Sequence, residues 1–346
     1  GVNAGNSIES GGNYNVVVGD EAGTALTTGD NNTFVGYTAG DATTTAGNNT
    51  AVGKRALGAN STGADNVAIG KDSMQTNTTA SNNTAVGSES LKANTTGASN
   101  TALGTFALDA NTTASNNTAV GSAALSANTT GTQNTAVGTN AGDAITTGNY
   151  NVGLGNNAIG AVTTGSNNVG LGVQALFNTT GNGNVAVGTT ALNANTSASD
   201  NTAVGNNALA ANTTGHLNVA VGANSLDANT TGDANVAVGN NALSAATTSD
   251  YNTAVGHNSG ASVTTGTQNT LIGGLAGDAL TTGGNNVAAG MLALSTETGA
   301  SGSVAIGKEA LRDQNVSSGT SYNTAVGFEA GKLLTTGVQN TLIGAE

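Results

Sequence analysis

The glycine that closes each Asn-(Thr/Val)-Ala-(Val/Ile/Leu)-Gly pentapeptide recurs with a period of 17 residues. It stands at Gly19, Gly36, Gly53 and onward to Gly172 in unbroken steps. A 16-residue step then leads to Gly188, and Gly205 through Gly307 follow at 17 each. A 20-residue step reaches Gly327, and 17 more reach Gly344. A fixed period of this size marks a solenoid, in which one repeat is one coil that cannot bury its apolar residues alone. The expected fold is therefore all-β: a parallel β-solenoid of about 20 coils. It forms a single repeat domain over residues 1–346 and, at ~4.8 Å per coil, extends roughly 95 Å.

Within the pentapeptide, the slot after the opening Asn is Thr or Val in all 20 copies, an always β-branched position that signals a strand. The slot before Gly is Val, Ile or Leu, and once Ala289. These two alternate onto one strand face, read here as the coil interior. The middle slot is Ala in 14 of 20 copies and is never polar. A solvated face would carry polar residues, so this second face is expected to lie against a neighbouring chain around a shared axis. Ala85, Ala119 and Ala203 are the expected trimer-interface residues.

Past the Gly come two variable turn residues, then Ala or Ser, then Leu, Met, Ile or Gly. Where that slot is Gly, as in Gly23, Gly142, Gly260, Gly277 and Gly331, an apolar residue follows three positions later: Leu26, Ile145, Val263, Leu280 and Leu334. Where it is Leu, as in Leu91, Leu125 and Leu209, the later slot is Asn94, Asn128 or Asn212. One interior space is expected to be filled from either slot, since voids and overpacking both destabilise. Gly40 with Thr43, and Ile159 with Val162, fit this rule poorly. The coil-opening Asn is replaced only by Ser303. Asn tolerates αL turns and forms stacked amide ladders.

Composition excludes several function classes. Lys and Arg total seven, none lies between Lys92 and Lys308, and the formal net charge is −13. No cationic patch exists for phosphate, so no nucleic-acid partner is expected. Lys54, Arg55 and Lys71 read as solvated turn charges. Without Cys there is neither a disulfide framework nor a thiolate metal site. No apolar run is long enough to span a bilayer, so no direct membrane insertion is expected. Both termini fall inside the repeat pattern, which points to a segment of a longer fibrous chain.

Candidate chemistry is sparse, and neither enzyme activity nor a cofactor is expected. His216 and His257 occupy different places in the repeat and lack the convergent partners of a triad or zinc site. Asp41, Asp143 and Asp278 lack the calcium-binding repeat pattern and read as turn caps. Gly181-Asn182-Gly183 has no phosphate-loop context. The sequon-like Asn-Thr-Thr runs are simply the repeat. Tyr14, Tyr150, Tyr251 and Tyr322 share the place before the opening Asn. They read as packing over a neighbouring turn, with sugar stacking as the alternative. The first strand slot carries Val in nine of 20 copies and is expected to be buried, which leaves ice binding a minor alternative. The longest break in the period loops out three residues between Arg312 and Ser321. Loops carry function more often than scaffolds do, so Arg312, Asp313, Gln314 and Tyr322 form the expected contact loop.

Ser303-Val304-Ala305-Ile306-Gly307 and Asn66-Val67-Ala68-Ile69-Gly70 resemble the head repeats of trimeric autotransporter adhesins. Similar Asn-Thr-Ala-Val-Gly and Thr-Thr-Gly repeats occur in phage tail fibres. The resemblance covers nearly the whole chain, although adhesin-head coils are shorter than 17 residues. It implies a left-handed β-roll in a homotrimer, outside the cell, on a bacterial surface or a virion fibre. It also implies a host-recognition role toward a cell-surface glycan or protein receptor. The alternative from a different class is a purely structural filament or surface layer without a specific ligand.

Overall fold

The computed structural model describes residues 1–345. It divides into two compact units, Gly1–Val173 and Gln174–Glu346. The division falls inside the 16-residue step between Gly172 and Gly188. The first unit holds ten strands, from Val16–Val18 to Val169–Leu171, and the second holds ten, from Val185–Val187 to Thr341–Ile343. Every strand is the three-residue slot group before an anchor glycine. Within each unit, consecutive strands pair parallel and in register, so Thr84, Ala85 and Val86 lie opposite Thr101, Ala102 and Leu103. In the second unit, Thr202, Ala203 and Val204 lie opposite Val219, Ala220 and Val221. The register survives the 20-residue step, where Val304, Ala305 and Ile306 face Thr324, Ala325 and Val326. No helix occurs among the described residues. Each unit is a parallel β-solenoid with one coil per repeat.

The anchor glycines explain the period. Gly87 has φ +138°, and a Cβ there would sit 2.5 Å from the carbonyl oxygen of Gly104, the next anchor. Gly104 meets Gly121 in the same way at 2.3 Å. No other residue fits a turn whose backbone stacks this closely on its own copy.

The interior is narrow. The middle strand slots, Ala85, Ala119 and Ala203 among them, are fully buried within the single chain. The first and third slots instead point outward and are half-buried or exposed. The expected inside and outside of the strand are therefore exchanged. Ala85, Ala119 and Ala203 have no surface left to offer another chain, so they are not interface residues. The physical reason is thickness: facing the strand across the coil are the buried Leu slot and the Asn or apolar slot after it, and little more than a methyl group fits between.

That geometry also completes the packing rule. Leu26, Ile145, Val263 and Leu280 are fully buried, as expected, whereas Leu334 is only half-buried. A Cβ on Gly142 would lie 3.1 Å from Ile145 Cδ1, and one on Gly277 would lie 2.9 Å from Leu280 Cδ1. The middle strand slot is a third contributor to the same space. Phe34 occupies it between Gly23 and Gly40, where a Cβ on Gly40 would meet the ring at 2.7 Å. The small Thr43 is then sufficient at the later slot. Gly153 makes the converse arrangement, since a Cβ there would stand 2.5 Å from Ile159 Cγ1. Removing that Cβ lets Ile159 and Val162 both be buried in one coil.

Two amide ladders line this interior. The Asn49 side chain accepts the backbone N–H of Asn66 at 3.0 Å and donates to the Gly63 carbonyl at 3.0 Å. The later Asn slot stacks likewise: Asn94 Nδ2 donates to Asn77 Oδ1 at 2.9 Å and to the Gly97 carbonyl at 2.9 Å. Hydrogen-bonded amides thus fill much of the interior that apolar side chains would otherwise occupy.

Candidate functional site

Three surface features stand out against this scaffold: the strand face, two groups of charges, and the break in the period. On the strand face, the outward first and third slots form two columns of Thr, Val, Ile and Leu, with a single Ala. Leu103 is 46% exposed and Ile306 42%. No charged residue occupies either column in any copy. Exposed aromatics flank the columns on both sides. Tyr14, Tyr150, Tyr251 and Tyr322 precede the opening Asn, while Tyr37 and Phe328 follow the anchor glycine. Apart from Val2, Ile8, Leu333 and Val338, every exposed large hydrophobic residue belongs to the strand face or its flanks.

The cations are engaged rather than simply solvated. In the first unit, Arg55 grips Asp72 with both arms, Nε at 2.6 Å and Nη2 at 2.8 Å. Lys71 lies 3.5 Å from Asp72, and Lys92 lies 2.9 Å from Glu89. Burial alone would raise the Asp72 carboxyl, but Arg55 and Lys71 hold it below its ordinary value. Lys54 sits 6.0 Å over the Tyr37 ring. In the second unit, Glu309 receives Lys332 at 2.6 Å, Arg312 at 2.7 Å and Lys308 at 3.2 Å. Lys332 and then Lys308 draw the Glu309 carboxyl down to about 2. Lys308 also stands 5.5 Å from the Phe328 ring. All seven Lys and Arg side chains fall in these two groups.

At the break in the period, the structure disperses the four expected contact residues. Gln314 is fully buried and takes the interior Asn slot. Its amide donates to Glu297 Oε2 at 3.0 Å and Ser303 Oγ at 2.9 Å, and its oxygen accepts from Asn323 at 2.8 Å. Arg312 spends its guanidinium on Asp313 at 2.7 Å and Glu309. Tyr322 is 58% exposed, with its ring edge 2.9 Å from where a Gly302 Cβ would stand. It therefore packs over the neighbouring turn. The exposed residues of the break are Asn315 and Ser317 to Thr320.

Sequence reasoning missed the buried carboxylate at this break. Glu297 replaces an interior Asn and is fully buried. It accepts the Gly299 and Ala300 N–H groups at 3.1 and 2.8 Å and the Val316 N–H at 3.1 Å, besides Gln314. Four donors satisfy it without a cation. The available signal was its position, since Glu297 and Gln314 fall one above the other in the Asn slot.

His216 belongs to a turn ladder, its Nδ1 accepting the Ser199 backbone N–H at 3.0 Å and its backbone N–H donating to Asp233 Oδ1 at 2.6 Å. His257 lies coils away. Asp41, Asp143 and Asp278 occupy equivalent turns of separate coils. Desolvation raises each carboxyl, opposed by hydrogen bonds from backbone amides. No cluster of metal-ligating side chains exists among the described residues. A cavity of about 540 Å³ opens over the core slots Leu334 and Leu342, beside Glu329 and Lys332, which pair with each other at 2.9 Å. Neither a protein-family model nor a curated protein matches the chain.

Proposed function

We propose that this chain is a segment of an extracellular fibre, assembled as a homotrimer, that extends and presents a recognition surface to a cell-surface glycan or protein. The observation that supports this reading is the uniformity of each unit. Coil follows coil with the same ladders and the same turns, and the polar groups gathered at the period break and in the charge groups bond to one another. Such a scaffold offers surface and spacing. The exposed residues Asn315 and Ser317 to Thr320, with Asp313 and Tyr322 at their borders, supply the contact loop in this reading.

The test has two parts. Light scattering in native buffer should give the mass of three chains. Deleting Val316, Ser317 and Ser318, which restores a 17-residue step, should abolish binding to host cells or arrayed glycans while circular dichroism stays unchanged. Undiminished binding by the folded deletion variant would remove the loop from the reading. The burial of Gln314 inside the coil and the pairing of Arg312 with Asp313 and Glu309 favour a second reading, a purely structural filament. It predicts no binding by either protein.

A further inference from the structure

Among the described residues, the strand face is the most extensive surface whose chemistry no intramolecular contact accounts for. Interface cores are depleted of charge and enriched in aromatic residues and Met. The two outward columns carry no charge in a chain with 27 formally charged residues, and Tyr, Phe and Met291 line their flanks. Monomeric proteins rarely leave a contiguous apolar patch of more than a few hundred Å² uncovered.

The area decides what such a face can hold. With a rise of ~3.3 Å per residue and ~4.8 Å per coil, a stripe three residues wide and ten coils long offers about 500 Å² per unit. Two such stripes from two copies, face to face, bury about 1,000 Å² in total, the least that a specific interface needs. The corrugation of the stripe decides what fits it. Its side chains repeat once per coil along the ladder. Only a surface with the same spacing can interdigitate over its whole length, and the strand face of another copy has that spacing. Copies carrying a net charge of −13 repel one another, yet among the described residues no carboxylate stands in either column, and Asp20, Asp65 and Asp200 reach only the flanks. The neutral stripe is where like-charged chains approach at least cost.

We infer that a second copy of this chain covers the strand face, packing its own strand face against it. This deepens the self-assembly in the proposed function by naming the surface, and it replaces the buried alanines. The pair Leu103→Lys and Val255→Lys places one outward charge in each unit. The control pair is Thr113→Lys and Thr265→Lys, at exposed residues of the Thr-Thr turns. Wild type and control should share a mass above one chain by light scattering at micromolar concentration. The face pair should run as one chain with unaltered far-ultraviolet circular dichroism.

A second measurement keeps the fold native. The chain has no Cys, so the single thiol of Leu103→Cys should react more slowly with maleimide as protein concentration rises, whereas that of Thr113→Cys should not. A wild type of one-chain mass overturns the inference, as does a face pair that keeps the wild-type mass. Thermal hysteresis in ice by a monomer, lost in the face pair, assigns the face to ice instead and overturns it too. The stoichiometry is read apart from the surface. A two-chain assembly broken by the face pair upholds this surface and ends the trimer; a three-chain assembly indifferent to it does the reverse.

Discussion

At the residue scale, one methyl group sets the thickness of the coil. Ala119 is fully buried and faces the coil interior. Ala119→Glu should therefore unfold its coil rather than disturb a surface, losing at least about 3 kcal/mol, because a carboxylate would be buried without a partner. Urea titration reads this directly, and a stability within error of wild type would refute the inward placement. The anchor glycines allow a sharper comparison. Gly104 has φ +142° and its Cβ would strike the Gly121 carbonyl, whereas a Cβ on Gly274 would meet nothing within 4 Å. Gly104→Ala should lower the melting temperature by many degrees, and Gly274→Ala should change stability by no more than about 0.5 kcal/mol. The alternation of strand faces was legible in the sequence, but its sense was not. Thr and Val interchange freely in a half-buried outward slot just as they would in a buried one. Only the volume facing Ala85 distinguishes the two cases, and that volume is set by residues in a different part of the coil.

At the scale of the coil and its ladders, the sequence was read correctly in most respects. Each expected strand formed, and register followed from the fixed step. The two places where the packing rule had failed, Thr43 and Val162, became regular once Phe34 and Gly153 were seen to point inward. The ladders add an expectation of their own. The later Asn ladder runs through Asn195, Asn212 and Asn229 and stops where the next coil has Ala246. Asn229 Oδ1 and Ser249 Oγ are then buried without partners. The first unit repeats this, since Asn128 Oδ1 is left unpaired where Ile145 follows. Ala246 sits beside Leu243, the same pairing as Leu209 with Asn212. Ala246→Asn should extend the ladder by one rung and stabilise the protein by about 1 kcal/mol. Calorimetry measures the gain, and a loss would mean that the slot cannot hold an amide there.

At the scale of the whole molecule, charge sets the response to pH. Burial raises the carboxyls of Asp41, Asp109, Asp143, Asp227 and Asp278 above 3.8. A carboxyl raised on folding contributes stability that is fully present below its unfolded value and is lost as pH climbs through its folded value. Glu309 acts in the opposite sense: lowered from 4.5 to about 2, it contributes above 4.5 and loses that contribution as pH falls toward 2. The melting temperature should therefore rise on acidification from neutral pH to about pH 4 and fall below it. Asp227→Asn should raise the melting temperature at neutral pH and reduce the climb. A profile that falls steadily from pH 7 would contradict this balance.

The candidate site was the least legible part of the sequence. The break in period was visible, but whether Gln314 pointed inward depended on Glu297, a whole coil away. The exposed strand face was hidden by the same inversion that misplaced the alanines.

The stacked anchors and amides have a consequence for how such a chain can change. Between Asn83 and Asn134 each opening Asn and each anchor Gly meets its own kind in the next coil, so those coils are interchangeable. Excising residues 100–116 would set Asn117 on Asn83, Gly121 on Gly87 and Asn128 on Asn94, with every ladder continuous. Slippage or unequal recombination between repeats in the gene would then add or remove whole coils without altering the fold. Coil number becomes a trait that inheritance can adjust by copying, while any shift by a fraction of a repeat must be absorbed, as between Gly307 and Gly327, by a loop.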